Sequence, residues 1–256
     1  MRFDRKLWLA DYYDVFPAWP CPNCKQTALE RDISKEWLIY ETADSAEAHA
    51  DENWDPSWIT ERAAGALVCK HCKEPVIMSA VVGYEEDVDK DLGDRILVQG
   101  FKPLYFEPPL EMIDVPSETA DDVRLALTRA FSLYWSDPSS SGNCTRTALE
   151  LMLDQQGIAR GRNDSKRGER VRRSLHERLE MFAKRRPELK ETLMAVKWLG
   201  NAGTHDVLTH ADVLDAFELL DHTLDEVYRQ RSKRILRTAK AINRAKGPVK
   251  KSKRKP

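Results

Sequence analysis

A chain of 256 residues that is 41% hydrophobic and 32% charged has apolar side chains for one large core or two small ones. No apolar run reaches the length of a bilayer span, and the opening MRFDRKLWLADYYDVF carries charges where a secretion signal needs an apolar stretch, so the expected location is the cytoplasm. The net charge of −1 conceals a division: residues 1–120 carry 12 basic and 24 acidic side chains, residues 121–228 carry 16 and 18, and residues 229–256 carry 13 basic and none acidic.

The expected fold class is α+β, in three parts: residues 1–115 with a small antiparallel sheet, residues 116–230 as a helical bundle, and residues 231–256 as a basic helical extension with a disordered end. In the first part the candidate strands are Glu36–Glu41, Ala66–Cys69, Val76–Gly83 and Arg95–Gln99, rich in Val, Ile and Tyr and bounded by Gly, Pro or Asp. The acidic stretch TADSAEAHADENWDPSWITERA between the first two reads as an inserted loop, which Trp54 and Trp58 pack down. PLYFEPPLEMIDVP, with four prolines, reads as a linker.

Four of the five cysteines form two pairs of the type C-x-x-C, Cys21-Pro-Asn-Cys24 and Cys69-Lys-His-Cys72, each followed by a lysine. In a chain without a secretion signal, such pairs read as metal ligands before disulfides. Two knuckles turn four thiolates inward at the spacing zinc takes, about 2.3 Å from each sulfur. Four ordinary buried cysteines or a thioredoxin-like redox pair are the alternatives, and His71 could replace a cysteine as ligand. A four-Cys set leaves no position for substrate, so the expected zinc is structural. Cys144 reads as a buried helix residue.

The helical part follows in order. The first helix spans about Glu118 to Ser136, with Thr119 and Asp122 as a capping box and Val123, Leu127, Ala130 and Tyr134 at helical spacing. SDPSSSGN reads as a turn, and the second helix runs from about Cys144 to Gln156 and stops at Gly157. A basic loop leads to a third helix with Val171, Leu175, Leu179 and Phe182 on one face. Pro187 opens a fourth, and Thr209 with Asp212 opens a fifth, whose stripe is Val213, Phe217, Leu220, Leu224 and Tyr228. Ile235, Leu236, Ala239 and Ile242 keep the tail helical to about Lys246.

Lys197, Asn201 and His205 stand at i, i+4 and i+8, so a persisting helix lines all three on one face. From the residues alone, Asn201 and His205 either engage a phosphate or cap the helix end. The stretch TRTALELML, the basic loop after it, and PELKETLMAVKWLGNAGTHDVLTHADVLDAFELLDHTLDEVYRQR resemble the family known as domain of unknown function 4145, over about Thr119 to Arg231. The most specific matches are Arg146 with Glu150, and Gly200-Asn201 with His205. That family looks related to the HEPN helical bundles, and the resemblance implies a homodimer that cuts RNA without metal, as a toxin or in anti-phage defence. HEPN nucleases use an Arg followed four to six residues later by His, often as Arg-Asn-x-x-x-His. Here Gly200 occupies the place of the Arg before the Asn, with Lys197 the nearest basic residue on that face. On this reading His205 is the acid/base group, Asn201 orients it or the phosphate, and Lys197 with Arg146 stabilises negative charge.

The basic loop, with Arg160, Arg162, Lys166 and Arg167, and the tail, with Arg234, Arg237, Lys250 and Lys251, are the candidate contacts for RNA or DNA. The alternative to a nuclease is a non-catalytic module whose metal site and basic tail tether nucleic acid or a partner protein. No phosphate loop, dinucleotide fingerprint or serine elbow is present in the sequence.

Overall fold

The structure is a computed structural model that describes residues 3–88, 94–163, 169–205 and 207–248, with the side chains of 202–205 left out. A single 3₁₀ turn, Arg5–Trp8, is capped by Asp4 and buries Trp8. Extended chain follows, and Tyr13 exchanges backbone hydrogen bonds with Phe101 at 3.1 and 2.9 Å.

The sheet contains β1 (Leu29–Arg31), β2 (Leu38–Glu41), β3 (Glu61–Cys69), β4 (Pro75–Val88) and β5 (Arg95–Glu107), all antiparallel. Its order is β1-β3-β4-β5, with β2 also pairing along β3, from Leu38 opposite Ala64 to Glu41 opposite Glu61. Side chains on a strand alternate between faces, and β4 obeys this cleanly: Val76, Met78, Ala80 and Val82 are buried while Ile77 is exposed. Gly65 in β3 has no side chain because Trp37 lies flat over it; a Cβ there would fall 2.0 Å from the Trp37 ring.

All four candidate strands exist, and three are longer than their β-rich runs. The acidic stretch is not a bare loop. It holds α1 (Ala43–Ala48), where the Thr42 side chain accepts from Ser45 N, and it feeds directly into β3. Trp54 stacks on His49 at 4.6 Å, as a packing residue should, but Trp58 stands half in solvent. The proline-rich stretch is not a free linker either. Its first residues complete β5, and Leu110, Met112, Ile113 and Val115 are buried. Four prolines remove backbone donors, but the apolar side chains between them still have a core to enter.

The helices are α2 (Asp121–Tyr134), α3 (Pro138–Gln155), α4 (Leu175–Ala183), α5 (Lys190–His205), α6 (His210–Leu224) and α7 (Arg231–Ala245), with a short hairpin of β6 (Gly161–Asn163) and β7 (Arg170–Arg172) between α3 and α4. Helix α3 packs against α2 and α5, and α5 against α6. The Thr209–Asp212 capping box forms, and Gly157 takes φ +71° to end α3.

Three helix starts differ from expectation. Helix α2 is capped by Ala120 without a side-chain bond, and Thr119 is buried with no partner for its hydroxyl among the described residues. Helix α3 starts at Pro138, with the Asp137 side chain accepting from Ser140 N at 2.9 Å. The small residues that look like a turn are there for packing: Ser141 Oγ donates to the Ala130 carbonyl at 2.7 Å, and a Cβ on Gly142 would meet Leu208 at 2.5 Å. Val171 lies in β7, since the Ser174–Glu177 capping box starts α4 after it.

Two indole rings join the halves. Trp135, at the end of α2, packs on Trp19 at 6.0 Å and on Phe106 of β5 at 5.1 Å, while the Tyr134 hydroxyl donates to the Trp8 carbonyl. The buried residues of sheet and helices form one continuous apolar cluster. Among the described residues no helix is long and apolar enough to cross a membrane.

Candidate metal centre and cationic helical face

The two cysteine knuckles are built alike. In each, the first cysteine's N–H donates to the carbonyl five residues on: Cys21 to Gln26 at 2.8 Å, Cys69 to Glu74 at 3.0 Å. Each accepts in turn from the lysine four residues on, Lys25 at 2.9 Å and Lys73 at 3.0 Å. Both lysines sit in the left-handed region, at φ 62° and 65°, which closes the turn and aims the sulfurs inward. The pairing of β1 with β3, Leu29 opposite Cys69, then brings one knuckle onto the other across 45 positions of sequence.

The four sulfurs lie within 4.8 Å of one another. Cys21 Sγ is 3.6 Å from Cys72 Sγ, and Cys24 Sγ is 3.6 Å from Cys69 Sγ, far beyond a disulfide bond of about 2.05 Å. A tetrahedron of sulfurs around a metal at about 2.3 Å has edges of about 3.8 Å, so the donor set fits one ion. The electrostatics are divided. The Cys72 N–H pointing at Cys69 Sγ brings that thiol down to about 6, while burial pushes Cys21 up to about 12. A cation among them would favour the thiolate form of all four. His71 is exposed and stands outside the converging set. Cys144, expected to be buried, is half-buried in α3, and burial raises its thiol.

On the helical side, α5 runs unbroken through His205, so positions 197, 201 and 205 recur along one face. Lys197 is only 8% exposed, and its ammonium lies 3.4 Å from the centroid of the Trp198 ring, which is 59% exposed. Asn201 Oδ1 is a buried acceptor with no hydrogen-bond partner among the described residues. The His205 side chain lies outside the described residues.

The glycine at 200 has a steric cause. A Cβ there would stand 2.5 Å from the Cβ of Arg146 and 3.2 Å from the Gly142 carbonyl oxygen. Helices α3 and α5 cross at this point with their backbones close, and the space a side chain at 200 would need is filled by Arg146. The Arg146 Nε is buried without a hydrogen bond, 3.4 Å from Glu150 Oε1.

Of the other basic candidates, Arg160 donates from Nε to Asp154 at 2.9 Å, and Arg162 is exposed on β6. Arg160 holds the Asp154 carboxyl below the usual range against the opposing effect of its burial, with Arg178 adding to the same effect. Arg234 and Arg237 project from α7, where nothing is fully buried. Lys166, Arg167, Lys250 and Lys251 lie outside the described residues. The sequence reading missed Arg178, which is 4% exposed and donates to the Glu150 carbonyl, Asp154 and the Ile158 carbonyl. An arginine between Leu175 and Leu179 on an apolar helix face was the available signal.

No curated protein and no solved structure matches the chain. Residues 12–106, which span the sheet and all four cysteines, match the family described as Domain of unknown function (DUF8608). Residues 128–245, from within α2 through α7, match the family described as Domain of unknown function (DUF4145).

Proposed function

We propose that this protein is a zinc-stabilised, nucleic-acid-associated module, with Cys21, Cys24, Cys69 and Cys72 holding one structural zinc. Zinc suits four thiolates because it is borderline-soft and takes tetrahedral geometry without redox chemistry. Its contribution is a four-way cross-link between β1, β3 and the two knuckles. Metal analysis should give about one zinc per chain.

The observation that carries the nucleic-acid reading is α7. Across Arg231–Ala245 every side chain is exposed or partly so, none is acidic, and the basic sequence continues beyond it. Such a surface draws a polyanion by releasing its counterions. Binding of labelled RNA and DNA, measured across salt concentrations for the full chain and for a truncation at Arg229, tests this. The truncation should weaken binding and flatten its salt dependence. A protein tether would show salt-insensitive RNA contact at best.

A second reading, metal-independent RNA cleavage of the HEPN kind, is favoured by Arg146. The stem of this side chain packs on α5 at position 200, and the neighbouring Asn201 carries a buried acceptor with no hydrogen-bond partner among the described residues. His205 then serves as the acid/base group, with Lys197 and Arg146 opposing phosphorane charge. The half-exposed Trp198 and the exposed Val207 beside this face suit pairing with a second copy, which would place two such faces together. Cleavage of labelled RNA in chelator, wild type against His205→Ala, decides the matter: equal rates in both refute the assignment. Loss of about 10²–10⁴ in rate is the effect of removing a general acid/base.

A further inference from the structure

Helix α3, the β6–β7 hairpin and the N-terminal end of α4 enclose a cleft of about 430 Å³. Among the described residues five arginines line it, Arg146, Arg160, Arg172, Arg173 and Arg178, together with a single carboxylate, Glu150. Asp154 lies beneath Arg160 and Arg178. The Glu177 carboxylate, which feels Arg162 and Arg173, is committed to the backbone and hydroxyl of Ser174 at the start of α4. Cationic groups therefore outnumber anionic ones around the opening.

The arginines are arranged in two tiers. Arg178 forms the floor, almost wholly buried, and its Nη2 is saturated by three oxygens while its Nε has no hydrogen-bond partner. Arg146 Nε, also buried, lacks one too. Arg173 reaches back to the Gly161 carbonyl and ties the hairpin together. Arg172 and Arg160 form the rim, with the Arg172 side chain 81% exposed. Between the tiers Glu150 sits 3.4 Å from Arg146 Nε and 3.7 Å from Arg172 Nη2, too far for good hydrogen bonds to either. Two guanidinium groups thus share one carboxylate loosely, and buried donors beside it go unused, which is an incomplete anion site.

We propose that this cleft binds one phosphate group of a nucleic-acid backbone, with Arg172 and Arg146 as its ligands and Glu150 as an internal stand-in that the phosphate displaces. A backbone phosphodiester offers two charged non-bridging oxygens, as Glu150 does, but it is not tethered to α3 and can therefore approach both guanidinium forks at hydrogen-bonding distance. The open, arginine-rimmed mouth admits a group still attached to a long chain. The proposal rests on the nucleic-acid reading above, but it is carried by residues far in sequence from the tail.

The test is anisotropy binding of a labelled single-stranded RNA to the full chain across a salt series, with Arg172→Ala and Glu150→Gln. Arg172→Ala should weaken binding about 5- to 20-fold and lower the salt slope by roughly one phosphate. Glu150→Gln, which removes the competing charge at nearly constant shape, should tighten binding a few-fold. Neither change in a wild type that binds would overturn the cleft while leaving the tail-borne reading intact. If the wild type fails to bind at low salt, the nucleic-acid reading falls, and with it the backbone as ligand. A thermal-shift titration with inorganic pyrophosphate then decides the cleft: a shift abolished by Arg172→Ala keeps it as a site for a free phosphate, and no shift overturns it. Unchanged melting of Arg172→Ala without ligand guards against a folding defect.

Discussion

The sheet half and the helical half reach stability by different means. In the sheet half, two of the strands are only three and four residues long, and the segment that joins β2 to β3 carries five acidic side chains and no Lys or Arg. Its tightest long-range link is the set of four sulfurs. In the helical half, α3 is buried from two sides and the helices hold one another through apolar stripes such as Val213, Phe217, Leu220 and Leu224. On the zinc proposal the first arrangement depends on a small number of strong bonds to one ion, the second on many weak contacts. Short strands cannot bury enough surface alone, so a metal or another domain must supply the rest. Here the helical half contributes, since Trp8, Trp19 and Phe106 close against Trp135.

The largest effect should come from attacking the sulfurs. Cys69→Ser, or a strong chelator, should release the metal and melt the sheet half first, because structural zinc binding is worth on the order of 10 kcal/mol. Near-UV circular dichroism, dominated by the tryptophans, should collapse while helical far-UV signal persists. An unchanged melting temperature in Cys69→Ser would erase the contrast between the halves.

Trp135→Ala should follow, at about 3–5 kcal/mol, the range for deleting a buried aromatic ring. This side chain is shared by both halves, so calorimetry on the variant should resolve two transitions where the wild type shows one. A single transition at lower temperature would mean that the remaining contacts suffice to keep the cluster cooperative.

Gly200→Ala comes next, at about 1–3 kcal/mol, the cost of overpacking. Combining it with Arg146→Gly, which removes the Cβ 2.5 Å from the new methyl, should restore only part of the loss, since the Gly142 carbonyl still stands 3.2 Å away. A denaturant double-mutant cycle measures the coupling; strict additivity would show that Arg146 does not fill this space.

The smallest effect concerns pH. His210, at the start of α6, lies edge-on to Tyr134 and near the Trp135 carbonyl, and burial lowers its pKa. The folded protein therefore binds this proton less readily than the unfolded chain. Stability from this group is full above the ordinary histidine value of about 6.5 and declines as pH falls through it. Melting temperature should drop modestly between about pH 7.5 and pH 5.5, and the drop should shrink in His210→Gln. An equal drop in the variant assigns it to other groups.

Much of this was legible in the sequence because it is local. The cysteine spacing, the Thr209–Asp212 cap, the glycine that ends α3 and the stripe of α6 each depend on residues within a turn or two of one another. The apolar residues of the proline-rich stretch were visible too, but not the surface that covers them. Position 200 shows the other limit. The sequence displays a glycine in the middle of a helix, and nothing nearby explains it; the cause is Arg146, on another helix, occupying the same volume. The arginine cleft is of the same kind. Its residues come from α3, the hairpin and α4, and Arg178 looks from sequence like a misplaced charge on an apolar face. Sequence determined most of the elements, the cysteine knuckles and the charge division, since periodicity, capping and spacing are short-range. Tertiary structure alone decided which backbones approach closely enough to demand glycine and which cations converge, because both are set by how helices cross.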